Sequence, residues 1–276
     1  MTLGRREPDT DGGTPRALGV GIVGLGRLWE LRHRPALERL SDRFVIRGIY
    51  DQVPARATRE AARLSVGAHE SFTSLIERPD VDVVMILAAP WHGLECVHVA
   101  AEHRKAVYSS VPLATEPPDR LATLERVVTE SGILFVPEFA RRCYPASIAL
   151  RELVRTTLGP VRFLRCDARL FGFDRNAAPG PSSQLAPVPI LVDPGSYLID
   201  WCRFLIDDDP VAIQGQAEAA DGSRRGDRDF ESFALTFSRG AVARVDIVRF
   251  PTPNGGEAWR FLPPAGLQVH AENGIA

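Results

Sequence analysis

The chain lacks a charge imbalance: 33 lysines and arginines stand against 35 aspartates and glutamates. No long run of one sign forms the basic stripe that nucleic acid or an anionic membrane would need, which leaves a small molecule as the expected partner. Cysteine is scarce. Cys96, Cys143, Cys166 and Cys202 are widely spaced, form no CxxC or metal-type pair and follow no secretory leader. Reduced thiols packed inside a cytoplasmic protein are therefore expected. No segment reaches the apolar length of a membrane span, and no internal repeat recurs. His98 and His103 share neither a helical spacing nor a carboxylate motif, so no metal site is predicted. The opening "MTLGRREPDTDGGTPRA" mixes charge, Gly and Pro without an apolar run, and reads as a flexible tail over residues 1–17.

What is present has a rhythm. At 276 residues the chain exceeds a usual single core, so two domains or one enlarged α/β domain are expected. The first half alternates short apolar runs ("LGVGIV", "FVIRGIY", "VDVVMIL", "AVYSS", "ILFV") with helical patterns ("ARATREAARL", "LECVHVAAEHR", "RLATLERVVTES"). This alternation predicts βαβ units winding a parallel sheet covered on both faces, with ligands at the carboxyl ends of its strands. After about residue 140 the pattern becomes one helix, a strand, a Pro- and Gly-rich loop, a helix from Gly195 to Ile206, and then strands only, with a turn at Arg239-Gly240. An α+β domain on an open antiparallel sheet is predicted there. The boundary falls between Glu138 and Pro145, giving domains over residues 18–140 and 141–276.

Residues 19–29, "GVGIVGLGRLW", place Gly24 and Gly26 between strand and helix. Gly24 would make the tight turn, and Gly26 would let backbone amides approach a pyrophosphate. The third glycine of the GxGxxG pattern is replaced by Trp29, so the indole must shift the helix or point outward. Asp51 ends the second strand, 27 residues after Gly24, where an acid can accept hydrogen bonds from an adenosine ribose. That favours NAD(H), while Arg56 keeps NADP(H) open by offering a partner to a 2′-phosphate. A glycine turn and an acidic helix cap would give the same residues without any cofactor.

The order of "GIVGLG", "HRPAL", "YDQVPARA", "ILAAPWHGLE", "KAVYSSVPLA", "EFARRCYPA" and "DPGSYLIDWCRFL" resembles the glucose-fructose oxidoreductase/inositol dehydrogenase/MocA family over Gly19 to Phe250. The resemblance implies a Rossmann domain followed by an α+β domain, and NAD(P)-dependent hydride transfer on a small polar, sugar- or polyol-like substrate. It also implies cofactor contacts at Gly24, Gly26, Arg27, Leu28, Asp51, Arg56, Ala89, Pro90, His92 and Ser110. In such proteins the fifth-strand rim carries Glu-Lys-Pro, and the lysine positions or protonates the substrate oxygen. Here the triplet is Ser110-Val111-Pro112, and valine can do neither. The family's Asp-x-Gly-x-His-x-x-Asp motif aligns with Asp193, Gly195, Tyr197 and Asp200, which puts Tyr197 at the histidine position. Some members use tyrosine there. In "APWHG", Trp91 and Leu94 replace the Asn and His of Thr-Pro-Asn-x-x-His.

Tyr197 and Asp193 are therefore the candidate catalytic residues. A phenol with an ordinary pKa near ~10 can protonate an oxygen or an imine nitrogen if a neighbour stabilises its anion. A helix tyrosine packed at a domain junction is the plainer role. Asp193 can equally cap the helix, Asp200 can make a structural salt bridge, and His92 can be a solvent-facing first-turn residue. Arg141 and Arg142 can hold an anionic substrate or a hinge salt bridge, and the "DDDP" run at Asp207 reads as a solvated turn. Relatives continue beyond "LQVHAENGIA" with further strands and a helix and pair through the open face of the second sheet, so a shortened chain and a homo-oligomer are expected. Two other functions fit: a lysine-independent reductase of C=N or C=C bonds, and a catalytically silent sensor of dinucleotide or metabolite.

Overall fold

The computed structural model describes residues 16–26, 28–87, 92, 94–111, 113–173, 195–218, 230–251 and 265–276. Two compact units result. One runs to Val111 and resumes over Glu116–Glu138; the other combines Pro112–Thr115 with Phe139–Ala276.

In the first unit, six strands form one parallel sheet: β1 (Leu18–Val23), β2 (Phe44–Tyr50), β3 (Gly67–Ala68), β4 (Val83–Ile86), β5 (Ala106–Ser109) and β6 (Phe135–Pro137), in the order β3-β2-β1-β4-β5-β6. The order reverses at β1, so the loops after β1 and β4 diverge and open the crevice where doubly wound sheets take ligands. The central strands are continuous apolar runs, and Val20, Ile22, Val84 and Ile86 are buried, as helices on both faces require. Helices α1 (Arg34–Arg39), α2 (Pro54–Leu64), α3 (Phe72–Ile76), α4 (Glu95–Glu102) and α5 (Pro118–Ser131) supply those faces. Their starts follow local chemistry. Proline opens α2 and α5, where its missing N–H costs nothing, and Ser71 Oγ accepts the Ser74 N–H at 3.0 Å to cap α3. Arg16, assigned to the tail, is held in place: its guanidinium donates to both Asp82 oxygens, at 2.9 and 2.6 Å, beside the Gly19 N–H at 2.7 Å.

The second unit carries α6 (Pro145–Leu153), β7 (Val161–Phe173), α7 (Gly195–Ile206), β8 (Pro210–Glu218), β9 (Phe230–Phe237), β10 (Val242–Pro251), β11 (Ala265–Ala271) and β12 (Gly274–Ile275). Its sheet order is β12-β11-β7-β10-β9-β8. The sheet is mixed rather than purely antiparallel, because β7 and β10 pair in parallel while the other neighbours are antiparallel. One face is apolar: Leu164, Cys166, Phe233, Leu235, Ala243, Val245 and Ile247 are buried with Leu198, Trp201, Cys202 and Leu205 of α7. The period-2 alternation sends Arg165, Arg244 and Gln268 to the other face, where they are exposed. The Trp201 indole is satisfied by donating to Ser147 Oγ at 2.9 Å. Cys202 lies beside Cys166, whose thiol and the surrounding burial push its own thiol well above the ordinary range. Cys96, Cys166 and Cys202 are packed thiols, whereas Cys143, expected inside, is exposed; all four are free.

The "DDDP" run is a turn, but its acids are paired. Asp207 meets Arg151 at 3.0 Å, Asp208 accepts from Ser238 Oγ at 2.5 Å and from the Arg239 N–H at 2.8 Å, and Asp209 accepts from Arg203 Nε at 2.8 Å. No helix among the described residues is long and apolar enough to cross a membrane.

Candidate functional site

The glycine turn follows directly from β1. Gly24 has φ +96°, a conformation that side chains disfavour, and its N–H donates to the Tyr50 carbonyl at 2.8 Å. Leu25 N–H donates to Asp51 Oδ2 at 2.8 Å, and Val53 N–H donates to Oδ1 at 2.8 Å. Asp51 is only 6% exposed. Its first role is thus to strut the loops after β1 and β2 together; Oδ1, which accepts only from Val53, still has acceptor capacity. Arg56 stands 3.4 Å from Oδ2, its charge answered by that acid. At Gly26 an added Cβ would meet nothing within 4 Å. A backbone with open space in front of it fits the close approach of a pyrophosphate, so these residues suit a dinucleotide.

Trp29 neither protrudes nor breaks the turn. Its indole is buried among Val20, Ile22, Leu25, Leu37, Ile49, Ala57, Ala61, Met85 and Leu87, and its Nε1 donates to Glu60 Oε1 at 3.0 Å. Room comes from a π-helical turn over Trp29–His33, closed by the Arg34 N–H on the Trp29 carbonyl. The outward-pointing option is excluded and the shifted-helix option takes a definite form: five residues per hydrogen-bonded turn widen the helix where a glycine would have let it close on the strand. Leu28 stands just before this turn and is exposed.

The far end of the same turn meets a buried cluster that sequence reasoning missed. His33 Nε2 lies 3.5 Å from Glu138 Oε2, Arg32 donates to Glu138 Oε1, and the His33 ring stands edge-on to Tyr108 at 5.6 Å. Burial pushes the Glu138 carboxyl up, but pairing with His33 and Arg32 outweighs it and holds the acid below its ordinary range. Glu138 is 106 residues from Arg32, so no local pattern could have linked them.

At the rim of β4, His92 is not solvent-facing. Its ring packs 5.7 Å from Tyr50 and 5.4 Å from Phe72, and its Nε2 is buried with no hydrogen-bond partner among the described residues. Burial first, then the charges of Cys96 and Asp51, raise the Tyr50 phenol above its usual value. At the rim of β5, Ser110 N–H donates to the Ile86 carbonyl at 3.0 Å, and Val111 N–H donates to Ser109 Oγ at 3.3 Å. Val111 is 6% exposed. Arg27, Ala89, Pro90, Trp91, Pro112 and Asp193 lie outside the described residues.

In the second unit, Tyr197 lies in the first turn of α7, half-buried, its ring edge-on to Phe139 at 5.9 Å. Of the roles open to Asp200, the structural salt bridge is the one observed: Arg142 Nε donates to Oδ2 at 2.7 Å and Nη2 to Oδ1. That pairing raises the Arg142 guanidinium further. Arg142 also covers the Phe139 ring at 5.6 Å, and Arg141 covers Trp201 at 5.1 Å. Asp200, Arg142, Phe139 and Tyr197 thus form a continuous chain of contacts. Among the described residues, no group of three or more His, Cys, Asp or Glu could hold a metal ion.

Two family models match in sequence order. Residues 18–138 match the oxidoreductase family with an NAD-binding Rossmann fold, and residues 148–275 match the GFO/IDH/MocA C-terminal domain. The chain belongs to the Gfo/Idh/MocA family of oxidoreductases. Its Rossmann domain is the family's NAD-binding domain. The myo-inositol 2-dehydrogenase of Thermotoga maritima is 26% identical over 241 residues, covering 82% of this chain and 67% of that protein. The inositol 2-dehydrogenase/D-chiro-inositol 3-dehydrogenase of Lacticaseibacillus casei is 24% identical over 235 residues, covering 82% and 64%. The matches thus span about two thirds of those relatives' lengths. A solved scyllo-inositol dehydrogenase from Lactobacillus casei, with NAD(H) and scyllo-inositol bound, shares the fold of this Gfo/Idh/MocA protein at TM-score 0.77 and 17% identity, covering 94% of this chain and 75% of that one.

Proposed function

We propose that this Gfo/Idh/MocA protein moves hydride between NAD and a small polyol- or sugar-like substrate, with Tyr197 as proton carrier in place of the family lysine. The observation that carries the reading is the glycine turn, where Gly24 holds a positive φ and Gly26 faces open space. The substrate class rests on the inositol dehydrogenases among the relatives. NAD, when bound, supplies the hydride acceptor or donor. Gly24, Gly26 and Leu28 would hold the pyrophosphate, and Arg27, a further candidate, lies outside the described residues. Asp51 would accept from the adenosine ribose and disfavour a 2′-phosphate, with Arg56 neutralised beside it, while His92 and Ser110 would border the nicotinamide half; Ala89 and Pro90, candidates for the same role, lie outside the described residues.

Val111 has no group to donate or carry a proton, so the proton falls to Tyr197; Asp193, the second acid candidate four residues earlier in sequence, lies outside the described residues. The phenol holds or releases that proton at its hydroxyl, and its ring is steadied by Phe139. A general acid of this kind contributes roughly 10²–10⁴-fold. The reading includes a cytoplasmic setting, in keeping with the four unpaired cysteines, and a homo-oligomer formed through the polar face of the second sheet.

One observation favours a second reading. Val111 is buried and apolar at the rim of β5, as in a dinucleotide-binding protein that no longer catalyses. Incubating the protein with NAD and either myo- or scyllo-inositol separates the two: NADH formation that is abolished by Tyr197→Phe supports the enzyme. Tight NADH binding without turnover on any polyol or reducible carbonyl or imine would leave the silent sensor.

A further inference from the structure

The widened turn behind Gly24 and Gly26 is held from two sides by two carboxylates. On one side Glu60 of α2 takes the Trp29 indole at 3.0 Å and the Arg34 guanidinium at 3.1 Å on the same oxygen. On the other side Glu138, just past β6, takes Arg32 on one oxygen and faces His33 at 3.5 Å with the other. Trp29, Arg32 and Arg34 of one stretch are therefore hydrogen-bonded by two acids 78 residues apart in sequence, and His33 stands against one of them. Both acids are largely withdrawn from water, with side chains 14% and 7% exposed, so solvent screens these contacts little.

We infer that Glu60 and Glu138 are positioning residues for the dinucleotide, setting the backbone of the glycine turn from outside it. In the GxGxxG pattern the third glycine does this by letting the helix close on the strand. Here Trp29 prevents that closure, a π-turn takes up the extra width, and a π-turn alone leaves the rotation and height of the helix start undetermined. The two clamps supply the missing constraint. The inference rests on the reading that the pyrophosphate sits at Gly24 and Gly26. Positioning is worth testing at this level because a misplacement of about 1 Å in a binding element can cost on the order of 10²-fold.

The test compares two ligands that displace NADH: ADP-ribose, which carries the pyrophosphate, and adenosine, which does not. Glu60→Leu removes both of its contacts, Glu60→Gln keeps an acceptor for the indole and loses only the charge facing Arg34, and Glu138→Gln loses the charge facing His33. The ADP-ribose Kd is expected to rise about tenfold in Glu60→Leu and Glu138→Gln and less in Glu60→Gln, with the adenosine Kd within about twofold of the parent, on the positioning scale above. Hydrogen exchange at the Leu25 to Glu30 amides of the cofactor-free protein is expected to speed up in the same order. Equal weakening of both ligands would indicate general destabilisation and overturn the inference, as would unchanged ADP-ribose affinity. If Glu138→Gln does not fold, Arg32→Gln cuts the same clamp at a side chain that is 48% exposed. Gly26→Val separates the two levels, since its Cβ meets nothing in the protein. Loss of ADP-ribose binding in Gly26→Val with intact binding in the clamp variants overturns the clamps alone. Intact binding in Gly26→Val overturns the glycine-turn reading and the clamps with it.

Discussion

The two sheets expose their chemistry in different ways. The parallel sheet of the first unit is covered on both faces, so only the loops at its strand ends can meet a ligand, and Gly24, Gly26 and Asp51 lie in those loops. Among the described residues, the mixed sheet of the second unit is covered on one face alone, and its candidate residue sits on the covering helix. The glycine turn is consequently built from backbone geometry, and the Tyr197 neighbourhood from side chains in contact: Asp200, Arg142, Phe139 and then Tyr197. A backbone site is sensitive to which residue can adopt its φ and ψ. A side-chain site is sensitive to the packing and charge beneath it.

That contrast can be broken by substitutions confined to one unit. The largest expected effect is on the second unit's core. Leu205→Ala, on the buried face of α7, should cost about 2–5 kcal/mol in thermal or denaturant unfolding while leaving NADH affinity in the folded protein unchanged. Next is Gly24→Val. A β-branched residue at φ +96° carries strain of about 1–3 kcal/mol, read as NADH binding weakened by roughly ten- to a hundredfold, with little change in the second unit's unfolding. Arg142→Gln leaves the 3% exposed Asp200 without its partner. With the guanidinium itself 40% exposed, about 1–2 kcal/mol of stability is expected to be lost, below the cost of breaking a fully buried pair.

The smallest effect is on pH dependence. Glu138 is held below its ordinary value of 4.5 in the folded state. Its contribution to stability is therefore fully present above that pH and is lost as the pH falls through the lower, folded value. Unfolding of the first unit followed from neutral to acid pH should show a shallower acid loss in Glu138→Gln than in the parent; parallel curves would remove Glu138 from the account.

The same contrast explains what could be read in advance. "LGVGIV" and "FVIRGIY" are β1 and β2 to the residue, and Gly195–Ile206 is α7, because apolar periodicity bounded by turn residues is local information. The glycine turn was legible for the same reason. The parallel pairing of β7 with β10 was not, since adjacency between strands so far apart in sequence leaves no trace in either. Nor was the fate of Trp29: the sequence shows that a glycine is missing, while the π-turn and Glu60 that accommodate the indole come from packing. Between a cofactor contact and a solvent-facing residue, the sequence leaves His92 open because its ring partners, Tyr50 and Phe72, lie on other elements. Asp200 could be assigned to the salt bridge only once Arg142 was seen beside it, 58 residues away.

On the proposed function, the chain combines a glycine turn that takes NAD with Tyr197 as proton carrier, with Val111 proposed at the family's lysine position. A single-turnover experiment, with protein in excess over NAD and saturating scyllo- or myo-inositol, tests it most directly by following NADH formation in the parent and in Tyr197→Phe. The account predicts a clear NADH amplitude in the parent and a rate reduced about 10²–10⁴-fold in Tyr197→Phe, with NADH affinity unchanged. Equal rates in the two proteins would contradict it.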